Sequence, residues 1–150
     1  MTAPARRLIV ALTGASGQIY GLRLLEVLAQ EPDVETHLVI SQAAAITIAE
    51  ETDRDPRAVE ALATVAYRPA DIGAAIASGS FAAAGMIVAP CSIKTLSGIA
   101  NSYDDDLITR AADVQLKEGR PVLLMVRETP LHLGHIELMA RAARIGCIIF

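Results

Sequence analysis

The chain opens with a pattern that strongly restricts its fold: a short apolar run, a glycine-rich turn and then a helical pattern. Leu8 to Leu12 reads as a buried strand, and the turn that follows contains Gly14, Ala15, Ser16 and Gly17. Small residues at the start of a helix leave its first N–H groups open to an anion, and the serine adds a hydroxyl. The opening therefore predicts a strand–turn–helix unit that binds a phosphate group.

The spacing of the glycines indicates which kind of phosphorylated ligand fits. Gly14, Gly17 and Gly21 follow G-x-x-G-x-x-x-G, whereas a dinucleotide site uses G-x-G-x-x-G. The next predicted strand ends in Ile40-Ser41, with no acidic residue to hold a ribose. Gln18 stands where a G-x-S-x-G nucleophile elbow needs glycine. We therefore predict a mononucleotide or phosphate site, with an ordinary tight turn as the alternative.

Apolar runs alternate with helical patterns along the whole chain. This alternation predicts an α/β fold, a three-layer doubly wound parallel sheet, in a single domain over residues 1–150. Helix starts are predicted at Ser41, Asp55-Pro56 and Thr129-Pro130, where a side-chain oxygen can cap the first turn. The predicted strands are Leu8 to Leu12, Thr36 to Ile40, Met86 to Ala89, Val122 to Val126 and Cys147 to Phe150.

Composition narrows the range of partners. A net charge of -4 gives no electrostatic reason to expect nucleic acid or an anionic membrane. The longest apolar runs, such as Pro121 to Val126, are too short to span a bilayer, and we expect a cytoplasmic protein. A hydrophobic content of 53% with few aromatic residues favours burial in subunit interfaces, hence a homo-oligomer.

Polar residues follow the later strands as well. Ligands bind at the carboxyl ends of strands in open parallel sheets, so Ser92, Thr95, Arg127 and Glu128 are candidates for ligand contact. Helix capping is the alternative for the two hydroxyl residues. A salt-bridged strand end is the alternative for the charged pair.

Three further clusters have structural alternatives. Arg110, Asp113 and Lys117 share one helix face, where Asp113 can pair with either cation in a solvated ladder. His132 and His135 lack a convincing third ligand, so no metal site is predicted. Cys91 is either a nucleophile or a small residue packed beneath the loop, and with Cys147 it forms no disulfide framework.

Taken together, these segments resemble the flavin prenyltransferase family, the UbiX-like proteins long described as small subunits of aromatic-acid decarboxylases. The resemblance covers nearly the whole chain. It is carried by Thr13 to Gly17 with Tyr20 to Leu25, Ser41 through Asp53, Ser78 to Phe81, Pro90 to Leu96, Arg110 to Val114 with Leu116 to Glu118, and Arg127 to Pro130.

The resemblance implies a Rossmann-like flavoprotein fold and a metal-independent transferase. Such an enzyme joins the dimethylallyl group of dimethylallyl phosphate to N5 and C6 of reduced FMN, and the prenylated FMN serves a partner decarboxylase. The family also implies a large homo-oligomer, often a dodecamer, with active sites at subunit interfaces.

The family's motifs also imply roles for individual residues. A departing phosphate needs cations and hydrogen bonds to meet its growing charge. Ser16, Arg110, Lys117 and Arg127 are expected to supply them, and Glu51 and Glu128 to perform acid/base work. The implied FMN-binding positions are Gly14, Ala15, Ser16, Ser41, Ser92, Ile93, Lys94, Thr95 and Arg127.

One departure from the family leaves alternatives open. The family pattern continues past Phe150 with a Tyr and a Lys or Arg that hold the prenyl phosphate, so the chain is expected to lack that C-terminal segment. A non-catalytic FMN-binding carrier subunit is therefore one alternative. A cysteine-type flavoprotein decarboxylase is another, although its members place Asn where this chain has Lys94.

Overall fold

The computed structural model describes residues 4–150, which form a six-stranded sheet with all strands parallel, in the order β3-β2-β1-β4-β5-β6. The strands are β1 (Arg6–Leu12), β2 (Val34–Ile40), β3 (Val65–Tyr67), β4 (Gly85–Cys91), β5 (Val122–Val126) and β6 (Cys147–Ile149). The helices are α1 (Gln18–Leu28), α2 (Gln42–Glu51), α3 (Pro56–Glu60), α4 (Ile93–Ala100), α5 (Leu107–Lys117) and α6 (Leu133–Arg144), with a 3₁₀ turn at Ala75–Ala77.

Helices cover both faces of the sheet, which confirms the predicted three-layer, doubly wound architecture. Successive side chains of a strand point to opposite faces, so each strand contributes to two cores. Val10 of β1 packs in a cluster with Leu25 of α1 and Ile48 of α2. Its neighbour Ile9 belongs to the other cluster, with Leu96 of α4. Burial on both faces explains why these strands read as continuous apolar runs.

The predicted strands are confirmed to within a few residues, and one strand was not predicted. β3 has only three residues and lies at the edge of the sheet, where it pairs with β2. Such a short segment shows no periodicity that distinguishes it from a loop. The pairing of His37 with Val65 in the register is therefore a result of the tertiary structure.

Two of the three predicted helix starts are confirmed. Ser41 Oγ accepts from the Ala44 N–H at 3.0 Å, and Asp55 Oδ1 accepts from the Arg57 N–H at 2.8 Å. The start predicted at Thr129-Pro130 is wrong, because α6 begins at Leu133. His132 caps it instead: its Nδ1 accepts from the His135 N–H at 3.2 Å.

The strand order places a crevice between β1 and β4. These strands are neighbours, but α1 follows β1 on one face of the sheet and α4 follows β4 on the other. The connections therefore diverge at the carboxyl ends, which is where open parallel sheets bind ligands. Separately, the described helices include none long and apolar enough to cross a membrane.

Candidate active site

A cleft of about 990 Å³ opens at the carboxyl ends of the strands. Sites for cofactor-sized ligands range from roughly 300 to 1,000 Å³, so the cleft can hold a mononucleotide. The turn after β1, the start of α2, the start of α4 and the segment after β5 all reach it. Its lining includes Gly14, Ala15, Ser16, Ser41, Gln42, Ala43, Pro69, Ala70, Ser92, Ile93, Lys94, Thr95, Asp105, Asp106, Thr109, Val126, Arg127, Glu128 and Thr129.

The glycine-rich turn is held by a buried glutamine that the sequence did not indicate as functional. Gln18 Nε2 donates to the Thr13 carbonyl at 2.7 Å and to the Ala15 carbonyl at 2.9 Å. Gly17, the N-cap of α1, has φ of +96°, a left-handed conformation that favours glycine. The turn is therefore rigid, with Ser16 presented to the cleft.

Glu51, a predicted acid/base residue, caps the start of α1 across space. Its Oε2 accepts from the N–H groups of Gly17 and Gln18, both at 3.0 Å. A carboxylate is favoured at a helix N-terminus, because the helix dipole is positive there. Glu51 lies outside the main cleft, in a second cavity of about 680 Å³. Ser16 and Arg127 line both cavities and mark where they meet.

Thr13 ties the ends of β1 and β4 together. Its hydroxyl donates to the Pro90 carbonyl and accepts from the Ser92 N–H, each at 2.8 Å. The side chain is almost completely buried. Because both partners lie far along the chain, no sequence spacing pointed to this bond. Thr13 fixes the glycine-rich turn against the start of α4.

Ser92 caps α4, and both Ser92 and Thr95 line the cleft. Ser92 Oγ accepts from the Thr95 N–H at 3.2 Å and donates to Thr95 Oγ1 at 3.1 Å. The capping alternative is thus confirmed for Ser92 but not for Thr95, whose hydroxyl bonds only to that of Ser92, and both residues remain candidates for ligand contact. Ile93 and Lys94, in the first turn of α4, also face the cleft.

Arg127 and Glu128 follow β5 and project into the cleft. The Arg127 N–H donates to the Cys91 carbonyl at 3.1 Å, which anchors the segment to β4. Glu128 Oε1 accepts from the Thr129 N–H at 3.1 Å. Within residues 4–150 neither side chain forms a salt bridge, so the alternative of a paired strand end does not hold there. The guanidinium and the carboxylate are available for a ligand.

Arg110 and Lys117 lie outside both cavities of the single chain. Arg110 Nε donates to the Ala77 carbonyl at 3.3 Å. Lys117 Nζ pairs with Glu118 Oε1 at 2.6 Å. Of the two cations predicted to pair with Asp113, only Arg110 does so, with Nη1 3.9 Å from Asp113 Oδ2. One copy of the chain therefore does not bring these two cations to Ser16 and Arg127.

The cleft suits a flavin mononucleotide by its chemistry. Free N–H groups at helix starts, hydroxyls, the Lys94 ammonium and the Arg127 guanidinium can hold a phosphate. Ile93, Val126 and the backbone turn at Pro69-Ala70 supply apolar walls for a ring. The residues present thus fit a phosphorylated aromatic ligand.

One wall of the cleft was missed at the sequence level. Asp105, Asp106 and Thr109 line it at the start of α5. Asp106 Oδ1 accepts from the Thr109 N–H at 2.8 Å, and Thr109 Oγ1 accepts from the Asp106 N–H at 3.3 Å. An Asp followed three residues later by a hydroxyl residue is the signal that could have located this helix start.

Neither a metal site nor a reactive thiol emerges from the described residues. No group of three or more His, Cys, Asp or Glu side chains between residues 4 and 150 is placed to hold a metal. His132 and His135 stack with ring centroids 3.5 Å apart and cap α6 reciprocally. Burial raises the pKa of Cys91 to about 12 and that of Cys147 to about 11. Both thiols stay protonated at neutral pH, which supports the packing interpretation of Cys91.

The chain is similar to proteins of known activity over most of its length. A profile of the family described as Flavoprotein matches residues 2–145. The flavin prenyltransferase UbiX of Escherichia coli strain K12 is 62% identical over 144 residues, 96% of this chain and 76% of that protein.

Solved structures agree with this similarity. AnUbiX in complex with FMN and dimethylallyl pyrophosphate superposes with a TM-score of 0.95 at 49% identity, covering 97% of this chain and 77% of that one. A dodecameric FMN-dependent UbiX-like decarboxylase from Escherichia coli O157:H7 superposes with a TM-score of 0.94 at 51% identity. The match covers 95% of this chain and 77% of that one.

Proposed function

The chain belongs to the flavin prenyltransferase family of flavoproteins, and we propose that it transfers a dimethylallyl group from dimethylallyl phosphate to N5 and C6 of reduced FMN. Reduced FMN supplies the nucleophilic nitrogen and carbon of this reaction. The relatives at high identity carry this activity in their names, and a neighbouring structure holds FMN together with a dimethylallyl pyrophosphate.

One observation carries the proposal: the two cavities meet at Ser16 and Arg127. A transferase that joins two phosphorylated substrates needs an anion-binding point where they meet. A hydroxyl and a planar guanidinium can bind phosphate oxygens there and stabilise the charge that grows on the leaving group. Glu128 lines one cavity and Glu51 the other, so a carboxylate is present on each side.

The main cleft holds FMN in this proposal. Gly14, Ala15 and Ser16 with Ser41, and the helix start at residues 92–95, bind the cofactor through N–H groups and hydroxyls, together with Arg127. Exclusion of water from the reacting atoms would protect an allylic cation from hydrolysis. Glu51 and Glu128 hold or move protons. The proposed reaction uses no metal, because Arg and Lys meet the phosphate charge.

Arg110 and Lys117 act in this proposal from a second copy of the chain. Neither reaches the cavities of its own chain, and both side chains remain partly exposed. A similar protein is dodecameric, so subunit interfaces are available to bring these cations to a neighbour's site. The product, prenylated FMN, passes to a partner aromatic-acid decarboxylase in the cytoplasm.

The test is an anaerobic incubation of the purified protein with reduced FMN and dimethylallyl phosphate, followed by mass spectrometry of the flavin. We expect a product heavier by one C5 prenyl unit, and at least a tenfold loss of rate in Ser16→Ala, consistent with removal of a transition-state donor. Thr47→Ala is the matched control, because it removes a hydroxyl from α2 outside both cavities.

The same experiment separates the alternatives. Retention of FMN without alkylation in the wild-type protein would contradict the transferase and support a flavin carrier. Decarboxylation of a cysteine-terminated peptide would support the cysteine-type decarboxylase. Lys94, which departs from the pattern of that class, and the similarity to flavin prenyltransferases both favour the transferase.

A further inference from the structure

Arg110 is held by acceptors from three directions. Its Nη1 lies 3.4 Å from Asp104 Oδ2, in the loop before α5, and 3.9 Å from Asp113 Oδ2, one turn further along the helix. Its Nε donates to the Ala77 carbonyl of the 3₁₀ turn. Two carboxylates thus face one guanidinium, and with both ionised the group would carry a net negative charge.

One of these carboxylate oxygens has no donor. Asp104 Oδ1 is buried and accepts no hydrogen bond among the described residues. The Asp113 carboxyl is its neighbour, because Asp104 Oδ2 and Asp113 Oδ2 lie 3.4 and 3.9 Å from the same Arg110 Nη1. Two carboxylates cannot hydrogen-bond each other unless a proton lies between them. A shared proton would give the Asp104 carboxyl a hydrogen bond and remove the excess negative charge.

We infer that Asp104 and Asp113 share one proton above Arg110 and act as positioning residues that set how strongly this guanidinium attracts the prenyl phosphate. The inference rests on the proposed function, in which Arg110 binds that phosphate. While the pair holds its proton, Arg110 is oriented by hydrogen bonds and opposed by a single negative charge. Loss of the proton adds a second negative charge beside the phosphate and weakens its binding.

The surroundings of Asp104 are consistent with this sharing. Burial raises the pKa of Asp104, the hydrogen bond and charge of Asp113 raise it further, and Arg110 lowers it. The charged groups that act on Asp104 are these two residues of α5, and the packed 3₁₀ turn contributes only the Ala77 carbonyl. The neighbouring Asp106 carboxylate is engaged by Thr109.

The test compares KM for dimethylallyl phosphate in wild type and Asp104→Asn between pH 5 and 8, a window that lies above the ordinary aspartate pKa because the Asp104 pKa is raised. Asn keeps the shape and cannot ionise, so it mimics the protonated pair. We expect equal KM at the acid end and a wild-type KM about threefold to tenfold higher at the alkaline end. The substrate phosphate also titrates in this range, but it affects both proteins equally, so the ratio of their KM values at each pH cancels its effect.

Asp33→Asn is the matched control, because it makes the same change at an exposed position before β2. Its KM should follow wild type at every pH. A KM ratio for Asp104→Asn that stays constant across the range would overturn the inference. Carbon-13 NMR of the aspartate carboxyls in the wild-type oligomer gives a second readout should the variant fail to fold. Independent titration of both carboxyls in the ordinary aspartate range would also overturn it.

Arg110→Gln separates this inference from the proposed function. A large rise in KM in Arg110→Gln with a flat Asp104→Asn ratio would refute proton sharing and leave the transferase proposal intact. An unchanged KM in Arg110→Gln would refute the role of Arg110 in phosphate binding, and with it the inference. Absence of turnover in wild type would refute the proposed function, and the NMR titration would then decide the proton sharing alone.

Discussion

Thr13 shows at the residue scale how one buried hydroxyl defines the cleft. Its hydroxyl donates to the Pro90 carbonyl of β4 and accepts from the Ser92 N–H, and loss of the hydroxyl leaves the Ser92 N–H without its acceptor, whereas the Pro90 carbonyl still accepts from the Thr13 N–H. We expect Thr13→Val to lower the free energy of unfolding by about 1–3 kcal/mol. Urea denaturation measures this change. Thr47→Val, an exposed hydroxyl loss on α2, should cost less than Thr13→Val, and equal costs would contradict the argument.

Glu51 has a structural role besides its proposed chemistry. Its carboxylate accepts two N–H bonds at the start of α1. Glu51→Gln keeps an acceptor and loses the charge, so we expect a loss of roughly 0.5–2 kcal/mol in the free energy of unfolding. Glu50→Gln is the adjacent control on an exposed side chain, and thermal unfolding compares the two. A loss in Glu50→Gln as large as that in Glu51→Gln would refute the capping role.

The residue scale also shows which assignments the sequence allowed. Gly14, Ser16 and Arg127 were placed in the cleft from strand-end position alone, and they line it. The structural roles of Thr13 and Gln18 were not predicted, because these roles depend on hydrogen bonds that form only once the turn has folded. Residue spacing in the sequence predicts the local backbone, whereas hydrogen bonds of buried side chains depend on how the folded elements pack.

At the scale of elements, α1 approaches the sheet closely at Gly21. A methyl group there would meet the Ala89 carbonyl of β4 and the Leu12 side chain of β1. We expect Gly21→Ala to displace α1, to lower the free energy of unfolding by about 1–3 kcal/mol and to weaken FMN binding. Gly73→Ala is the matched control, because no atom lies within 4 Å of a methyl group at that position. Denaturation and fluorescence titration with FMN measure both effects, and equal behaviour of the two variants would contradict the close approach.

Helix starts were predicted where the capping residue acts on its own turn. Ser41 and Asp55 bond to N–H groups two or three residues ahead, so the sequence contains the whole interaction. The segment from Arg127 to Leu131 is different. It is attached to β4 through the Cys91 carbonyl and follows the cleft before α6 begins. A proline that would suit a helix start therefore lies in the connection instead.

At the scale of the whole molecule, the surface retains large apolar side chains. Ile19, Tyr20, Leu133, Ile136 and Phe150 are each at least half exposed in the single chain. Scattered apolar residues are ordinary, but this number together with two predicted catalytic cations outside the cavities favours assembly. An oligomer would cover the apolar surface and complete the site together.

Mixed oligomers test whether the site is shared. Ser16→Ala and Arg110→Gln subunits, each strongly impaired alone, are co-expressed with different tags and purified through both tags. If each site takes Ser16 from one subunit and Arg110 from another, roughly a quarter of the sites regain both residues at equal mixing. Flavin prenylation measured by mass spectrometry should then return to about that fraction of wild type. Activity that stays at the level of the separate variants would place both residues in one subunit's site.

The sequence by itself determined the layered α/β fold, five of the six strands and the glycine-rich turn after β1. These features follow from hydrophobic periodicity and from residues that act within one turn of their own position. Tertiary structure alone decided the edge strand β3, the wall formed by Asp105 and Asp106, the capping of α1 by Glu51 and the distance of Arg110 and Lys117 from the cleft. Each of these depends on residues far apart in the chain, whose contacts exist only once the sheet has assembled.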